Sequence, residues 1–150
     1  MPQSISKIHL HLVFSTKGRE RLIADEIRPV LHEYMGGILR KKDCQPIEIN
    51  TEPDHAHVLF CLGRTVTVAE VVGNLKQGST LWLREQGPRY HMFRWQAGYG
   101  VFAVSHSNVE AAREYIRSQR EHHRKVTFQD EFRAFLRKHD EEWDERYVWD

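Results

Sequence analysis

The order in which the apolar residues change period constrains this chain more than any other feature. Residues 7–14 alternate, with Ile8, Leu10, Leu12 and Phe14 on one side and His9, His11 and Val13 on the other. That is the mark of a strand with one face on a core. Residues 25–41 switch to helical spacing through Ile27, Val30, Leu31, Tyr34, Met35 and Ile38, with Gly36-Gly37 weakening the end. Strands follow over 45–52 and 55–62, joined into a hairpin by the Glu52-Pro53-Asp54 turn. Thr67 with Glu70 three residues on is a capping box for a helix whose apolar face is Val68, Val71, Val72 and Leu75. Residues 86–98 read as a loop and 99–105 as a fourth strand. Ser107 with Glu110 reads as a second capping box, opening a helix over 108–123, and 128–138 as a further helix before an irregular aromatic tail.

The sum is β-α-β-β-α-β followed by C-terminal helices. This predicts an α+β, ferredoxin-like (split βαβ, RRM-like) antiparallel sheet with helices on one face plus the C-terminal helices. No repeat or low-complexity linker divides residues 1–150, so a single domain is expected. Hydrophobic residues make up 40% of the chain, enough for one core. Tyr34 is placed in that core, Cys61 as well, Tyr99 at a strand start, and Tyr90 and Tyr147 in loop or tail. Two cysteines, Cys44 and Cys61, are too few for a disulfide framework or a Cys-rich zinc site and read as reduced thiols. No apolar run reaches the ~18 residues of a membrane span. The opening MPQSISKIHL lacks the apolar stretch of a secretion signal, which predicts a cytoplasmic protein with no membrane partner.

The formal charge of +1 counts mildly against a nucleic-acid binder, but its distribution does not. Arg40, Lys41 and Lys42 cluster, as do Arg113, Arg117, Arg120, Arg124 and Lys125 around His122 and His123. The acidic residues gather in Asp140, Glu141, Glu142, Asp144 and Glu145. A near-neutral total therefore hides a basic face.

Ten histidines in 150 residues raise the question of what they hold. His55 and His57, two apart on a strand, project to one side about 7 Å apart along it and can share a metal ion. His9 and His11 have the same spacing, and periodicity cannot choose between the pairs. Context favours His55 and His57, at a strand end beside a turn, with His9 and His11 lining or supporting the site. Tyr115 and Gln119, four apart, project from one helix face, beside an apolar stripe of Val109, Ala112 and Ile116 that anchors the helix to the sheet. Arg113, Arg117 and Arg120 surround them. A helix presenting a tyrosine and an amide among arginines suits phosphate handling. Spacing alone favours the plainer alternative, a tyrosine at the core boundary and a solvated glutamine.

The segment Glu52-Pro53-Asp54-His55-Ala56-His57-Val58-Leu59-Phe60 resembles the His-hydrophobic-His (HUH) motif of the single-tyrosine transposases of bacterial insertion sequences. Tyr115-Ile116-Arg117-Ser118-Gln119 resembles their nucleophile helix. His11-Leu12-Val13-Phe14-Ser15-Thr16-Lys17 resembles the opening strand. Leu75-Lys76-Gln77-Gly78-Ser79-Thr80 resembles the second-helix motif, with Gln77 interrupting a tighter Leu-Lys-Gly pattern. The segment from Trp95 to Ser105 resembles the approach to the nucleophile helix. The co-occurrence of these motifs in order, over nearly the whole chain, is specific.

This resemblance implies that His55, His57 and Gln119 bind one Mg2+ or Mn2+ ion, with zinc not excluded by ligand type. It implies that Tyr115 attacks single-stranded DNA, leaving a 5′-phosphotyrosine and a free 3′-hydroxyl, so that a second strand is joined without ATP. It also implies recognition of DNA hairpins and work as a homodimer, with the site assembled within one chain or across two. The Gly98–Gly100 region and the tail residues Trp143, Tyr147 and Trp149 offer such an interface. Lys17, Arg19, Arg21, Arg40, Lys41, Lys42 and Lys76 are candidates for backbone contacts. Arg113, Arg117 and Arg120 either contact DNA phosphates or supply positive charge to the tyrosine. A domesticated relative that processes chromosomal repeats would look the same. Two rivals stand beside this reading: a non-catalytic single-stranded nucleic-acid-binding module with an RRM-like fold, and a zinc hydrolase, which would need a carboxylate base and would form no covalent adduct.

Overall fold

The computed structural model describes residues 2–150. Strands β1 (His9–Ser15), β2 (Gln45–Glu52), β3 (His55–Cys61) and β4 (Gly100–Val104) form one antiparallel sheet in the order β2-β3-β1-β4. The β2–β3 hairpin places Glu52 opposite His55, and β1 pairs with β3 so that Val13 faces His57. Helices α1 (Arg28–Lys41) and α2 (Val68–Arg84) cover one face. Leu10, Leu12 and Phe14 of β1 and Ala56, Val58 and Phe60 of β3 pack there against Leu31, Met35 and Leu75. This is the expected split βαβ arrangement, with α+β character and its first two helices on a single face.

The C-terminal helices α3 (Val109–Arg117), α4 (Gln119–His122) and α5 (Phe128–Lys138) cover the opposite face. The rings of His11 and His57 meet Tyr115 of α3 there, while Val13 and Phe102 pack against Phe128, Phe132 and Leu136 of α5. Alternation along β1 and β3 therefore sorts the sheet into an apolar side and a histidine side. Gly100 lets α5 approach β4: a Cβ there would lie 2.6 Å from Phe132 Cε2. No helix among the described residues is long and apolar enough to cross a membrane.

Several elements depart from the pattern read in the sequence. The helix expected over 25–41 begins with a separate 3-10 turn, Asp25–Ile27, before Pro29 starts α1. That helix buries only Leu31, Met35, Gly36 and Leu39. Val30 and Tyr34 stay exposed at 53% and 40%, so Tyr34 is not a core residue; its ring stacks on Trp82 of α2 at the surface instead. Ile8 precedes β1 and is exposed. Cys61 ends β3 only partly buried, while Cys44 is buried. Tyr90 sits in a short turn but is buried, its hydroxyl accepting from the Ala24 N–H. Thr67 caps α2 as expected, its side chain accepting from Glu70 N. Ser107 caps nothing: it lies inside a 3-10 turn, His106–Asn108, and α3 starts from Asn108 without a side-chain cap. The helix expected over 108–123 is broken at Ser118, the C-cap of α3 and N-cap of α4. The tail folds back, with Trp143, Val148 and Trp149 packed against the α5 cluster and Gly98 N donating to Asp150 O.

His32 of α1 reaches across to Thr51 of β2, with 2.8 Å between Nε2 and Oγ1. Burial first, then the charge of Arg28, pushes its imidazole down to about 4 from 6.5. A depressed histidine stabilises the fold fully above its unfolded value and loses that contribution as pH falls through the folded one. Urea titrations should therefore show stability declining between pH 6.5 and 4, with His11 and His57 acting in the same direction. His32→Gln should flatten the decline by on the order of 2 kcal/mol, allowing for partial exposure. An unchanged slope would show that His32 keeps its proton equilibrium on folding.

Candidate active site

β3 delivers His55 and His57 side by side, both 1% exposed, with ring centroids 5.2 Å apart. Each ring has its Nδ1 held from outside the site, which turns its Nε2 inward. His55 Nδ1 lies 2.7 Å from Asp54 Oδ1, a residue of the turn before the strand. A carboxylate on Nδ1 fixes the tautomer and frees Nε2 as a ligand. His57 Nδ1 lies 2.8 Å from His11 Nε2 on β1, so His11 supports the site as expected. His9 stands apart, beside His106. Burial lowers both His57 and His11, the latter to about 3, with the charge of the neighbouring imidazole next in importance for His11. Both rings are therefore neutral near pH 7, the form that binds metal.

Tyr115 and Gln119 reach this pair from α3 and α4. Gln119 is fully buried, with Oε1 3.4 Å from His55 Nε2 and Nε2 donating to the Tyr115 carbonyl at 3.3 Å. The phenol of Tyr115 donates to Glu131 Oε2 and lies 3.4 Å from His122 Nε2. Burial, then the charge of Glu131, pushes the phenol well above its ordinary range, so it is held protonated. The break at Ser118 leaves the carbonyl of Ile116 without a helical partner, as at any helix end. Asn50 of β2 supplies one, its Nδ2 donating to Ile116 O at 2.7 Å while Arg28 donates to its Oδ1.

The centre of the site is a residue the motifs do not contain. Glu131 of α5 is 3% exposed. Its Oε1 lies 3.0 Å from His57 Nε2 and 3.8 Å from His55 Nε2, and its Oε2 lies 3.3 Å from His122 Nε2 and 3.2 Å from His123 Nε2. Burial works against this carboxylate's charge, but His123 and His57 outweigh it and hold the group ionised, well below the usual range. His123 responds in the opposite sense. Burial opposes its protonation, and the carboxylate overcomes that and raises it. One ligand atom from each of His55, His57, His123 and Glu131 lies within 4.8 Å of all the others. Three neutral-capable imidazoles and a carboxylate fit a divalent cation.

A signal for Glu131 existed in the sequence. Phe128, Phe132 and Phe135 form an apolar stripe, and residue 131 falls on it at helical spacing. A carboxylate there is a buried charge that needs partners. His123 carried no comparable mark.

The basic residues divide into two groups. Arg113 and Arg117 both reach Glu48 of β2, at 3.1 and 2.9 Å, and Arg120 reaches Glu52 and Asp25, at 3.0 and 2.7 Å. These pairs tie α3 and α4 to the sheet rim. Lys76 donates to the carbonyls of Gln96, Ala97 and Gly98 and is pushed down to about 8 by burial. Lys17, Arg19 and Arg40 have no ion pair among the described residues, and Arg19 lies over the Trp149 ring. A cleft of about 730 Å³ between β4, α3 and α5 opens on Tyr115, lined by Phe102, Phe135 and His139 among others.

Residues 4–119 match the family described as "Transposase IS200 like". The transposases for insertion sequence element IS200 of Salmonella typhimurium and Salmonella typhi are each 32% identical over 120 residues, covering 74% of this chain and 76% of theirs. The ISDra2 transposase TnpA of Deinococcus radiodurans is 22% identical over 123 residues, covering 77% of this chain and 86% of its own. Two solved structures share the fold. A candidate transposase from Deinococcus radiodurans gives a TM-score of 0.62 at 22% identity, over 79% of this chain and 98% of the other. A REP-associated tyrosine transposase bound to a REP hairpin gives 0.60 at 14% identity, over 84% and 74%.

Asn50 is the buried polar tie between the sheet and the backbone at the end of α3. Asn50→Ala should cost roughly 1–3 kcal/mol in urea unfolding, because it orphans a buried carbonyl and an arginine. Amide exchange should speed up in α3 and α4 before it does in β1. A midpoint equal to the parent's would show that the arginine–glutamate pairs alone hold these helices.

Proposed function

Since the chain belongs to the IS200-like family of transposases, we propose that it cleaves and rejoins single-stranded DNA at hairpin-marked ends, with Tyr115 as the nucleophile. The observation that carries this reading is convergence: the phenol of Tyr115 and the inward nitrogens of His55 and His57 all meet one carboxylate, with the Gln119 amide alongside. His55, His57 and Gln119 would hold the metal. A magnesium or manganese ion bound between them would supply the charge that polarises the scissile phosphate and offsets the carboxylate's hold on the phenol.

The remaining chemistry belongs to the chain. Tyr115 Oη attacks phosphorus, the bond from phosphorus to the 3′ oxygen breaks, the leaving oxygen takes a proton from solvent water, and the DNA is left with a 5′-phosphotyrosine and a 3′-hydroxyl. Glu131 Oε2 already accepts the phenol's hydrogen bond and is the nearest base for its proton. The cleft beside Tyr115 has room for the nucleotide next to the break, against Phe102 and Phe135. Lys17, Arg19 and Arg40 are free to reach phosphates. Arg113, Arg117, Arg120 and Lys76 would contact DNA only while keeping, or by giving up, their protein partners. Hairpin recognition draws support from the fold shared with the REP-bound relative. The whole chain would act as one unit, in the cytoplasm and as a homodimer, with each site assembled within one chain.

The RRM-like binding module needs an open sheet face for stacked bases, and here α3, α4 and α5 cover the histidine side. Glu131 does supply the carboxylate that a metal hydrolase would need, but a hydrolase leaves no adduct. Incubating the protein with manganese and a library of single-stranded hairpins should therefore give a DNA–protein band on a denaturing gel. Tyr115→Phe should lower that band by roughly 10³-fold or more while hairpin binding persists. Product DNA with no adduct from the parent protein would favour the hydrolase, and binding without cleavage would favour the binding module.

A further inference from the structure

We infer that Glu131 and His123 are themselves ligands of the ion held by His55 and His57, so that the metal centre bridges the sheet and the C-terminal helices. This deepens the function proposed above and rests on its metal site. Both residues lie beyond the stretch, 4–119, that matches the family.

Three observations support them. Their donor atoms complete a set with His55 and His57 whose members all lie within 4.8 Å of one another, close enough to share one ion. His123 Nε2 is buried and makes no hydrogen bond, although Glu131 Oε2 is 3.2 Å away. The contact is at ion-pair distance but lacks hydrogen-bond alignment, so this nitrogen has no bond to give up on meeting a cation. The two oxygens of Glu131 also face different partners. Oε1 turns to His55 and His57, and Oε2 accepts from Tyr115 and lies 3.2 Å from His123. With Oε1 on the ion, the same carboxylate would orient the nucleophile through Oε2, so Glu131 is both a ligand and a positioning residue for Tyr115. The donors, mostly imidazole, select a divalent cation that accepts nitrogen.

Because α5 brings the carboxylate, the ion would also fasten α5 to β3. Manganese titrated into the full chain without DNA tests this by electron paramagnetic resonance. The unmodified protein should show three coupled imidazole nitrogens, and manganese should slow amide exchange in α5. Glu131→Gln, close in shape, should weaken manganese binding at least about tenfold, and His123→Asn should remove one of the three couplings. Two nitrogens in the unmodified protein, or equal or tighter binding by Glu131→Gln, would overturn the inference. If Glu131→Gln fails to fold, the nitrogen count and the α5 exchange in the unmodified protein still decide. The two proposals fail separately. Manganese bound without help from Glu131, with DNA adduct still formed, defeats this inference alone; a Glu131-dependent site that never yields an adduct defeats the transposase mechanism alone.

Discussion

The structure turns on a carboxylate taken out of water. An isolated buried carboxylate costs several kcal/mol and persists only where donors and positive charge surround it. Glu131 meets that condition with the ring nitrogen of His57, the adjacent His123 and the phenol of Tyr115. Those partners come from β3, from the end of α4 and from α3, while Glu131 itself comes from α5. Satisfying one group therefore fixes the mutual position of every element on that side of the sheet. The aromatic cluster of Phe128 and Phe132 supplies the apolar burial that brings α5 down, and the carboxylate sets its register.

The two faces of the sheet show the same division. Alternation along β1 and β3 puts Leu10, Leu12, Phe14, Ala56, Val58 and Phe60 on one side and His11, His55 and His57 on the other. The hydrocarbon side is an ordinary core closed by α1 and α2. The imidazole side joins an apolar cluster under α5 to a polar patch around the histidines, where low dielectric makes contacts strong and unpaired groups costly. Its outer rim is charged as well: Glu48 and Glu52 on β2 hold the arginines of α3 and α4. Three arginines that in the sequence stand out as a surface for phosphates are instead matched to carboxylates in this chain.

Much of this was legible in the sequence, and the remainder was hidden for physical reasons. The strand order followed from two-residue alternation, and the convergence of His55, His57, Tyr115 and Gln119 matches the geometry implied by the motifs. The exposure of Tyr34 and Val30 was not legible, because helical periodicity names two apolar faces where packing uses only the narrower one. The break at Ser118 was not legible either, since the carbonyl it frees is satisfied by Asn50, more than sixty residues away in the chain. Glu131 lay outside every motif. Its position on an apolar stripe marked it as a buried charge, but only the fold shows which imidazoles surround it.

Gly100 gives this arrangement an unexpected governor. Phe132, which rests where a Cβ at residue 100 would stand, is the immediate chain neighbour of Glu131. The seat of that ring against β4 is therefore left open by the smallest residue in the protein. A single methyl group at that position would displace the Phe132 ring, on the residue next to the carboxylate, from its seat on β4. A position with no side chain thus decides how closely the aromatic cluster beneath α5 seats on the sheet.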